Sequence, residues 1–314
     1  MHRIDDSSGD IPTTPAASPS GTAEVRIVRA APGRRQERLD RVAVEAPLEI
    51  QLLHPALGPE PVSFGTTMRT PGDDEWLAAG LLYGEGVVSS AADIAALETS
   101  TRRPNVVNVR LEPHVTFERQ IEARRFSAGS SCGVCGTTGL DAAIARAAVT
   151  RIEARGQIDL ETLLDLPRRM RLSQSRFGST GGIHASALFD LEGRSLGLAE
   201  DVGRHNAFDK LVGENLLAGR LPWSDRVVIL SGRASFELVQ KALRAGVGIL
   251  AAIGAPSSLA VNLAEAAGLT LAGFLREGHC NLYTHAQRIR QRDLPDPAAA
   301  GPGALSPGSS YGSR

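Results

Sequence analysis

The feature that most constrains the fold of this 314-residue chain is the regular alternation of strand-like and helix-like segments between residues 183 and 274. Residues 227–230 are continuously apolar, which is typical of a strand buried on both faces. Strands that alternate with helices predict an α/β fold, with a mixed, mostly parallel sheet and helices on both of its faces. The predicted strands cover residues 183–189, 227–230, 248–252 and 269–274, and the predicted helices cover 235–244, 257–267 and a segment with Phe208, Leu211, Val212 and Leu216.

The preceding part of the chain has a different pattern, which predicts a smaller β-rich domain. Apolar residues alternate with polar ones around Ile27, Ile50 and Val109, and one helix is predicted over residues 73–83. We predict this domain over residues 23–126 and the α/β domain over 127–292. A Ser/Pro/Thr-rich lead (1–22) and a Pro/Gly/Ala/Ser-rich tail (293–314) are predicted to be disordered.

Two of the three cysteines, Cys132 and Cys135, lie three residues apart in a glycine-rich segment ahead of a helical pattern. A helix N-terminus favours the thiolate, which is the reactive form of a cysteine. Three cysteines in a chain of this length do not form a disulfide framework. The pair therefore indicates sulfur chemistry rather than a structural crosslink.

Charge and hydropathy exclude several classes of protein. The formal net charge is −1, which argues against nucleic acid as a partner. No apolar run approaches the roughly 20 residues that span a bilayer, so no membrane association is expected. The N-terminal lead has no apolar core of the kind found in secretory signals. We expect a cytoplasmic protein with reduced thiols.

Three polar, glycine-rich segments, residues 200–206, 231–235 and 254–258, each follow a predicted strand and open a predicted helix. In α/β sheets such segments meet at the edge where ligands bind, and helix N-termini favour anions there. Arg204 and Arg233 add guanidinium groups suited to phosphate oxygens. The segments indicate a phosphate-bearing ligand, although each of them alone is also consistent with an ordinary helix cap.

Only two of the 34 basic residues are lysines, Lys210 and Lys241, and both lie in these motif-like regions. The bias is explained either by codon usage or by a need for a compact ammonium group, which could balance phosphate charge. His205, beside Arg204 at a predicted helix start, is a candidate for ligand contact or proton transfer. His184, on a predicted strand, is more consistent with a structural role.

The segment after the last predicted strand combines an aromatic ring, an arginine and, further on, an amide, which together are able to hold a planar base. An ordinary strand end is the alternative. Cys280 is interpreted as a packed or idle thiol. The candidate ligand residues here are Phe274, Leu275, Arg276, Glu277, Gly278 and His279.

Six ordered motifs make the chain, from about residue 24 to residue 288, similar to the formate dehydrogenase accessory sulfurtransferase family (FdhD). They are Met68-Arg69-Thr70-Pro71 with Leu81-Leu82-Tyr83-Gly84-Glu85-Gly86, Ser131-Cys132-Gly133-Val134-Cys135-Gly136, Thr180-Gly181-Gly182-Ile183-His184-Ala185, residues 200–210, residues 231–241, and Asn281-Leu282-Tyr283-Thr284-His285. The resemblance implies a fold similar to that of cytidine deaminases, with a smaller N-terminal domain.

The resemblance also implies an activity that spacing alone does not indicate. Such proteins take persulfide sulfur from a cysteine desulfurase and transfer it to the bis(molybdopterin guanine dinucleotide) form of the molybdenum cofactor, for use by formate dehydrogenase. Cys132 then carries the persulfide and Cys135 is its partner. The guanine dinucleotide site maps onto residues 274–279. A homodimer is expected, and no resident metal.

Three other functions are compatible with parts of the sequence. A zinc-dependent nucleobase deaminase needs a glutamate two residues after its histidine ligand, but His184 is followed by Ala185 and Ser186. A thiol–disulfide oxidoreductase would carry its cysteine pair near an N-terminal βαβ unit, which is not the pattern here. A non-catalytic cofactor chaperone, in which the cysteines only clamp the ligand, would share the phosphate site.

Overall fold

The N-terminal half is built mainly of strands. The structure is a computed structural model that describes residues 21–116 and 155–291. Its first elements are β1 (Thr22–Ala31), β2 (Arg34–Ala43), β3 (Ala46–Leu53), β4 (Val62–Arg69), α1 (Asp74–Gly84), β5 (Ile94–Ser100) and β6 (Arg103–Leu111). The helix predicted over 73–83 and the strands predicted around Ile27, Ile50 and Val109 are confirmed.

The C-terminal half alternates strands and helices as predicted. Its elements are β7 (Ile158–Asp159), α2 (Leu160–Ser173), α3 (Ser175–Thr180), β8 (His184–Asp190), β9 (Ser195–Asp201), α4 (Arg204–Leu217), β10 (Arg226–Leu230), α5 (Phe236–Arg244), β11 (Ile249–Ala252), α6 (Ser258–Ala267), β12 (Thr270–Arg276), β13 (His279–Thr284) and β14 (Ile289–Arg290). None of the helices in the described ranges is long and apolar enough to cross a bilayer.

The main sheet has six strands in the order β13-β12-β11-β10-β8-β9. Only β10–β11 and β11–β12 pair in parallel, and the other three neighbours pair antiparallel. The sheet is therefore mixed, as predicted, but the prediction that it is mostly parallel is wrong. The difference arises because β8–β9 and β12–β13 are hairpins, whose short turns force an antiparallel return.

The N-terminal strands form two further sheets. β4, β3, β6 and β5 make a four-stranded sheet in that order, in which β3 pairs with β6 in parallel. β1 and β2 pair only with each other, over their whole length. The pairing of this two-stranded ribbon continues at its base, where the Val44 amide donates to the Gly21 carbonyl at 2.9 Å.

Helices cover both faces of the main sheet, as predicted. On one face Leu188, Val228 and Leu250 pack with α1, α4, α5 and α6 in one large apolar cluster. On the other face Ala187 and Ile229 pack with the apolar side of α2 in a second cluster. The large cluster also contains residues of β3 and β6, so one continuous core joins the two halves of the chain. The domain boundary predicted at residue 126 lies outside the described residues.

Helices α1 and α4 cross in direct backbone contact, and two glycines make this possible. A Cβ atom on Gly80 would lie 1.8 Å from the carbonyl oxygen of Asp209, and one on Gly213 would lie 1.8 Å from that of Trp76. Backbone atoms on both sides leave no flexible side chain to move aside. The crossing presses α1 against α4, the helix that begins at Arg204 and His205.

We expect Gly213→Ala to lower the free energy of unfolding by about 3 kcal/mol, the upper end of ordinary overpacking costs, because the two helices must separate. Urea unfolding followed by circular dichroism measures this loss. Gly178→Ala is the matched control, since nothing lies within 4 Å of its added methyl group. A Gly213→Ala protein as stable as the Gly178→Ala protein would contradict the close crossing.

Candidate functional site

The three glycine-rich segments lie together at one edge of the main sheet. The Gly254 amide donates to the Gly232 carbonyl at 2.8 Å, and Ala234 forms a bridge with Pro256. β8 runs antiparallel to β10, and β9 antiparallel to β8, so the segment after β9 reaches the same edge. The predicted convergence of these segments is confirmed.

The three helices that begin at this edge start in different ways. Ser235 and Ser257 cap α5 and α6 in the ordinary manner, since their hydroxyls accept from the amides of Leu238 (3.4 Å) and Ala260 (3.3 Å). The residue at the N-cap of α4 is Gly203, which has no side chain to cap the helix. The N-terminus of α4 is therefore the one that best fits the anion site predicted from the sequence.

Arg204 and His184 approach each other over Gly232. A Cβ atom on Gly232 would lie 3.5 Å from the His184 ring and 3.7 Å from Cδ of Arg204. The Nε of Arg204 is buried and has no hydrogen-bond partner among the described residues. Arg233, which follows Gly232 in its loop, is exposed. Two guanidinium groups thus flank the loop, one of them with an unused donor.

His205 is held at the start of α4 as a neutral imidazole. Its Nε2 lies 3.2 Å from the Ser235 hydroxyl and 3.5 Å from a Glu237 carboxylate oxygen. Burial lowers the pKa of His205 to about 3, and the positive charges of Lys241 and Arg204 add to this effect. Burial also lowers the pKa of His184, followed by the charge of Arg204. Both rings are therefore uncharged at neutral pH.

We expect these histidines to make the fold sensitive to mild acid. In the unfolded chain a histidine binds its proton near its usual pKa of about 6.5, whereas folded His205 does so only near 3. The contribution of the buried, neutral His205 ring to the free energy of unfolding is complete above pH 6.5 and is lost progressively as the pH falls toward 3. Urea unfolding at pH 7.5 and at pH 5 measures this effect. The free energy of unfolding should fall less between these two pH values in His205→Gln than in wild type. A ring that titrates near pH 6 by NMR would contradict this.

Phe274 occupies an unusual backbone position at the same edge. Its φ is +51°, in the left-handed region, which is rarely populated by bulky residues. The pairing of β12 with β13 shifts register between Gly273 and Arg276, so Phe274 lies in a bulge, and 41% of it is exposed. Its amide donates to the Gly254 carbonyl at 3.1 Å. An aromatic side chain is thereby presented beside the glycine-rich loops.

The other residues predicted in this segment have different surroundings. Leu275 is fully buried in the smaller apolar cluster and exposes no surface to a ligand. Arg276 donates to the Ile253 carbonyl at 2.7 Å and thereby ties β12 to the end of β11. Glu277 and Gly278 form an exposed turn, with Gly278 at φ +88°, and His279 is exposed at the start of β13.

Lys210 lies in a buried polar network. Its ammonium contacts an Asp201 carboxylate oxygen at 2.8 Å and donates to the Thr70 carbonyl at 2.8 Å, and all three residues are inaccessible to solvent. Asp201 also accepts from the amides of Thr70 (3.1 Å) and Gly203 (2.9 Å) and from the Asn206 side chain (3.1 Å). The network joins the loop after β4 to the start of α4.

Lys241 forms another buried ion pair, with both carboxylate oxygens of Asp209 at 2.8 and 2.6 Å. Burial alone lowers the pKa of Lys241, but the charges of Asp209 and Glu237 outweigh it and the net pKa is raised. Neither Lys241 nor Lys210 is accessible to a phosphate group. The expectation that the lysines balance phosphate charge is corrected: both of them neutralise buried aspartates.

Sequence reasoning did not identify Asp201, Thr70 and Arg69 as parts of this site. Arg69 is buried, pairs with both carboxylate oxygens of Asp74 at 2.8 Å, and donates to the carbonyl of Ala46 at 3.2 Å. Arg69 and Thr70 lie in the first of the six motifs, and Asp201 lies in the motif at residues 200–210. Their place in these motifs is the only sequence signal that indicates them. Thr70 and Asp201 fix the start of α4, whereas Arg69 ties the end of β4 to α1 and β3.

The cysteine pair, Cys132 and Cys135, lies outside the described residues. Cys280, on β13, is half-buried and its pKa is raised by burial, which agrees with an idle thiol. Within residues 21–116 and 155–291, no three His, Cys, Asp or Glu side chains are grouped to hold a metal ion.

The fold and this edge define a mixed α/β protein with a glycine-rich edge that carries two arginines. The model of the FdhD/NarQ family matches residues 43–290, and the chain belongs to that family. A protein named sulfur carrier protein FdhD from Streptomyces avermitilis is 44% identical over 286 residues, covering 86% of this chain and 96% of that protein. One of the same name from Mycobacterium tuberculosis is 42% identical over 281 residues, covering 85% and 98%.

A solved structure supports the fold. It belongs to a candidate formate dehydrogenase accessory protein from Desulfotalea psychrophila, which has a TM-score of 0.65 and 26% sequence identity. The match covers 86% of this chain and 99% of that one.

Proposed function

We propose that this protein is a sulfur carrier that serves formate dehydrogenase. It accepts persulfide sulfur on Cys132 from a cysteine desulfurase and transfers it to the bis(molybdopterin guanine dinucleotide) molybdenum cofactor, which is its substrate. The names of its relatives support the carrier role. The donor, the acceptor and the persulfide are the finer parts of the proposal.

The convergence of Arg204, Arg233 and Phe274 at one sheet edge is the observation that carries the proposal for the acceptor. The buried Nε of Arg204 has no partner among the described residues, and a phosphate oxygen would satisfy it. The exposed ring of Phe274 offers a surface on which a guanine base stacks. A guanine dinucleotide needs both kinds of group, and the edge supplies them side by side.

The proposed chemistry is balanced without an external oxidant. The Cys132 thiolate attacks the outer sulfur of the donor persulfide, the donor's S–S bond breaks, and the donor cysteine leaves as a thiolate. Cys135 then attacks the inner sulfur of the Cys132 persulfide, which forms a disulfide between the two cysteines and releases the outer sulfur as sulfide to the cofactor. A cellular dithiol reduces that disulfide and restores both thiols.

Intact-mass measurement after incubation with cysteine desulfurase and cysteine tests the carrier role. We expect a gain of one sulfur atom, lost on treatment with a reductant, on the peptide that contains Cys132. A protein that binds guanine nucleotide but gains no sulfur would be a cofactor chaperone, and the carrier proposal would fail.

We expect Arg233→Ala to weaken GDP binding about tenfold or more, because a charge-assisted hydrogen bond to phosphate contributes about 1.5–3 kcal/mol. Isothermal titration with GDP measures the change. Arg102→Ala is the control, since Arg102 is an exposed arginine in the turn between β5 and β6. Equal affinities for the two variants would remove Arg233 from the site.

Three further features belong to the same proposal. A cytoplasmic location suits a protein whose thiols must stay reduced. A homodimer is proposed because many cofactor-handling folds of this kind pair, and analytical ultracentrifugation tests it. A likeness of the α/β part to cytidine deaminases is what the resemblance implies.

A further inference from the structure

We propose that the β1–β2 ribbon is the arm that docks the sulfur-donating protein, through an acidic surface on that partner. The inference rests on the proposed function, because it concerns the donor in that reaction. The ribbon comprises residues 22–43, whose two ten-residue strands pair only with each other. Its outer part, residues 28–39, is exposed on both faces.

The ribbon presents apolar side chains where a protein has no structural reason to expose them. Val28 and Leu39 are 58% and 61% exposed. Opposite residues of an antiparallel pair share a face, and Arg26 lies opposite Leu39 while Glu37 lies opposite Val28. Val28 and Leu39 are therefore diagonal neighbours on one face. An isolated two-stranded hairpin gains little stability from such residues, so their exposure indicates a binding surface.

The charge of the ribbon identifies the chemistry of its partner. Residues 22–43 contain six arginines and three acidic residues, a net charge of +3 in a chain whose total is −1. The side chains of Arg26, Arg29 and Arg35 have no ion pair or hydrogen bond among the described residues. Arg26 and Arg35 share the face of Val28 and Leu39, whereas Arg29 lies on the opposite face. Arginines beside an apolar centre are typical of protein interfaces, and their charge favours an acidic surface.

The chemistry of transfer requires such a surface for the donor. Persulfide sulfur moves between two thiols only when they are in direct contact, so the donor protein must dock. The cofactor, in contrast, is a small molecule that the glycine-rich edge is able to hold. Two ribbons of the same positive charge repel each other, which disfavours pairing with a second copy. The ribbon carries no aromatic residue for stacking on nucleic acid bases.

Calorimetric titration of the full-length protein with the cysteine desulfurase of the same organism tests the inference. We expect Leu39→Ser and Arg26→Glu each to raise the Kd about tenfold. The Kd of the wild-type protein should also rise with added salt. Leu172→Ser and Arg102→Glu are the matched controls, because Leu172 is 77% exposed on α2 and Arg102 is exposed in the β5–β6 turn. Both controls should bind as wild type does.

A second measurement separates docking from chemistry. Loaded with glutathione persulfide, a small-molecule donor, the ribbon variants should gain sulfur as wild type does, whereas loading from the desulfurase should fall about tenfold at limiting concentration. Arg26→Glu changes no described side-chain contact, so it keeps the test decisive if Leu39→Ser unfolds.

Each remaining outcome overturns the inference. If wild type and the ribbon variants bind and load equally from the desulfurase, the carrier function stands and the ribbon has no part in docking. If wild type takes no sulfur from the desulfurase, the proposed donor is wrong and the ribbon inference falls with it. A change of molecular mass in the variants would assign the ribbon to a second copy, and loss of binding to a duplex oligonucleotide would assign it to nucleic acid.

Discussion

Cys132→Ser is expected to abolish sulfur loading from the desulfurase completely. The hydroxyl of serine does not form a stable bond to sulfane sulfur, and without the thiolate no persulfide forms. The intact mass of the variant should show no added sulfur after incubation with the donor. Activation of formate dehydrogenase should be lost as well. The loss should persist at any donor concentration, because it removes the nucleophile rather than a binding contact.

Two matched variants make this result specific. Cys280→Ser should load as wild type does, because Cys280 is half-buried with its pKa raised by burial and is a poor nucleophile. Cys135→Ser should accept the sulfur but release it slowly, since the thiolate that attacks the inner sulfur is missing. Full loading of Cys132→Ser, or complete loss in Cys280→Ser, would show that the sulfur resides on a different cysteine.

Local pattern was sufficient to predict the central strands and helices. β10 is predictable because a short, continuous apolar run is typical of a strand buried on both faces. α5 is predictable because Ser235 precedes a helical apolar pattern. β13 was not predicted, since its residues are mostly exposed at the sheet edge and show no alternation. α2 was also missed, although the spacing of Leu163, Leu166 and Met170 carries the helical period. Pro167 inside it obscured the signal.

The candidate site was predictable only in part, because some of its contacts join residues that are far apart in the sequence. The convergence of Arg204, Arg233 and Phe274 follows from strand order, which pattern analysis approximates. The buried contact between Thr70 and Asp201 joins residues 131 positions apart, and no spacing rule relates them. The scarcity of lysine did indicate a special role for Lys210 and Lys241. That role is to neutralise buried carboxylates, where a compact ammonium fits beside backbone carbonyls.

Disruption of the buried pair of Asp201 and Lys210 is expected to cost the fold about 3–5 kcal/mol, because it leaves one charge buried without its partner. Asp201→Asn should be the worse of the two single changes. It leaves the ammonium beside the Thr70 carbonyl without a compensating negative charge among the described residues, whereas Lys210→Met leaves Asp201 with three other donors. Urea unfolding of both variants measures the losses. Asp165→Asn, at a more exposed ion pair with Arg168, should lose less than about 1 kcal/mol.

The double variant Asp201→Asn/Lys210→Met should lose less than the sum of the single losses, because no uncompensated charge remains. Single losses as small as that of Asp165→Asn would contradict the role of the pair. Asp201→Asn should also affect the glycine-rich edge, since Asp201 accepts from Gly203 and Asn206 and so sets where α4 begins. Studied at a temperature where it is folded, Asp201→Asn should therefore bind GDP more weakly, although Asp201 is fully buried and contacts no ligand itself. A purely structural aspartate would leave that affinity unchanged.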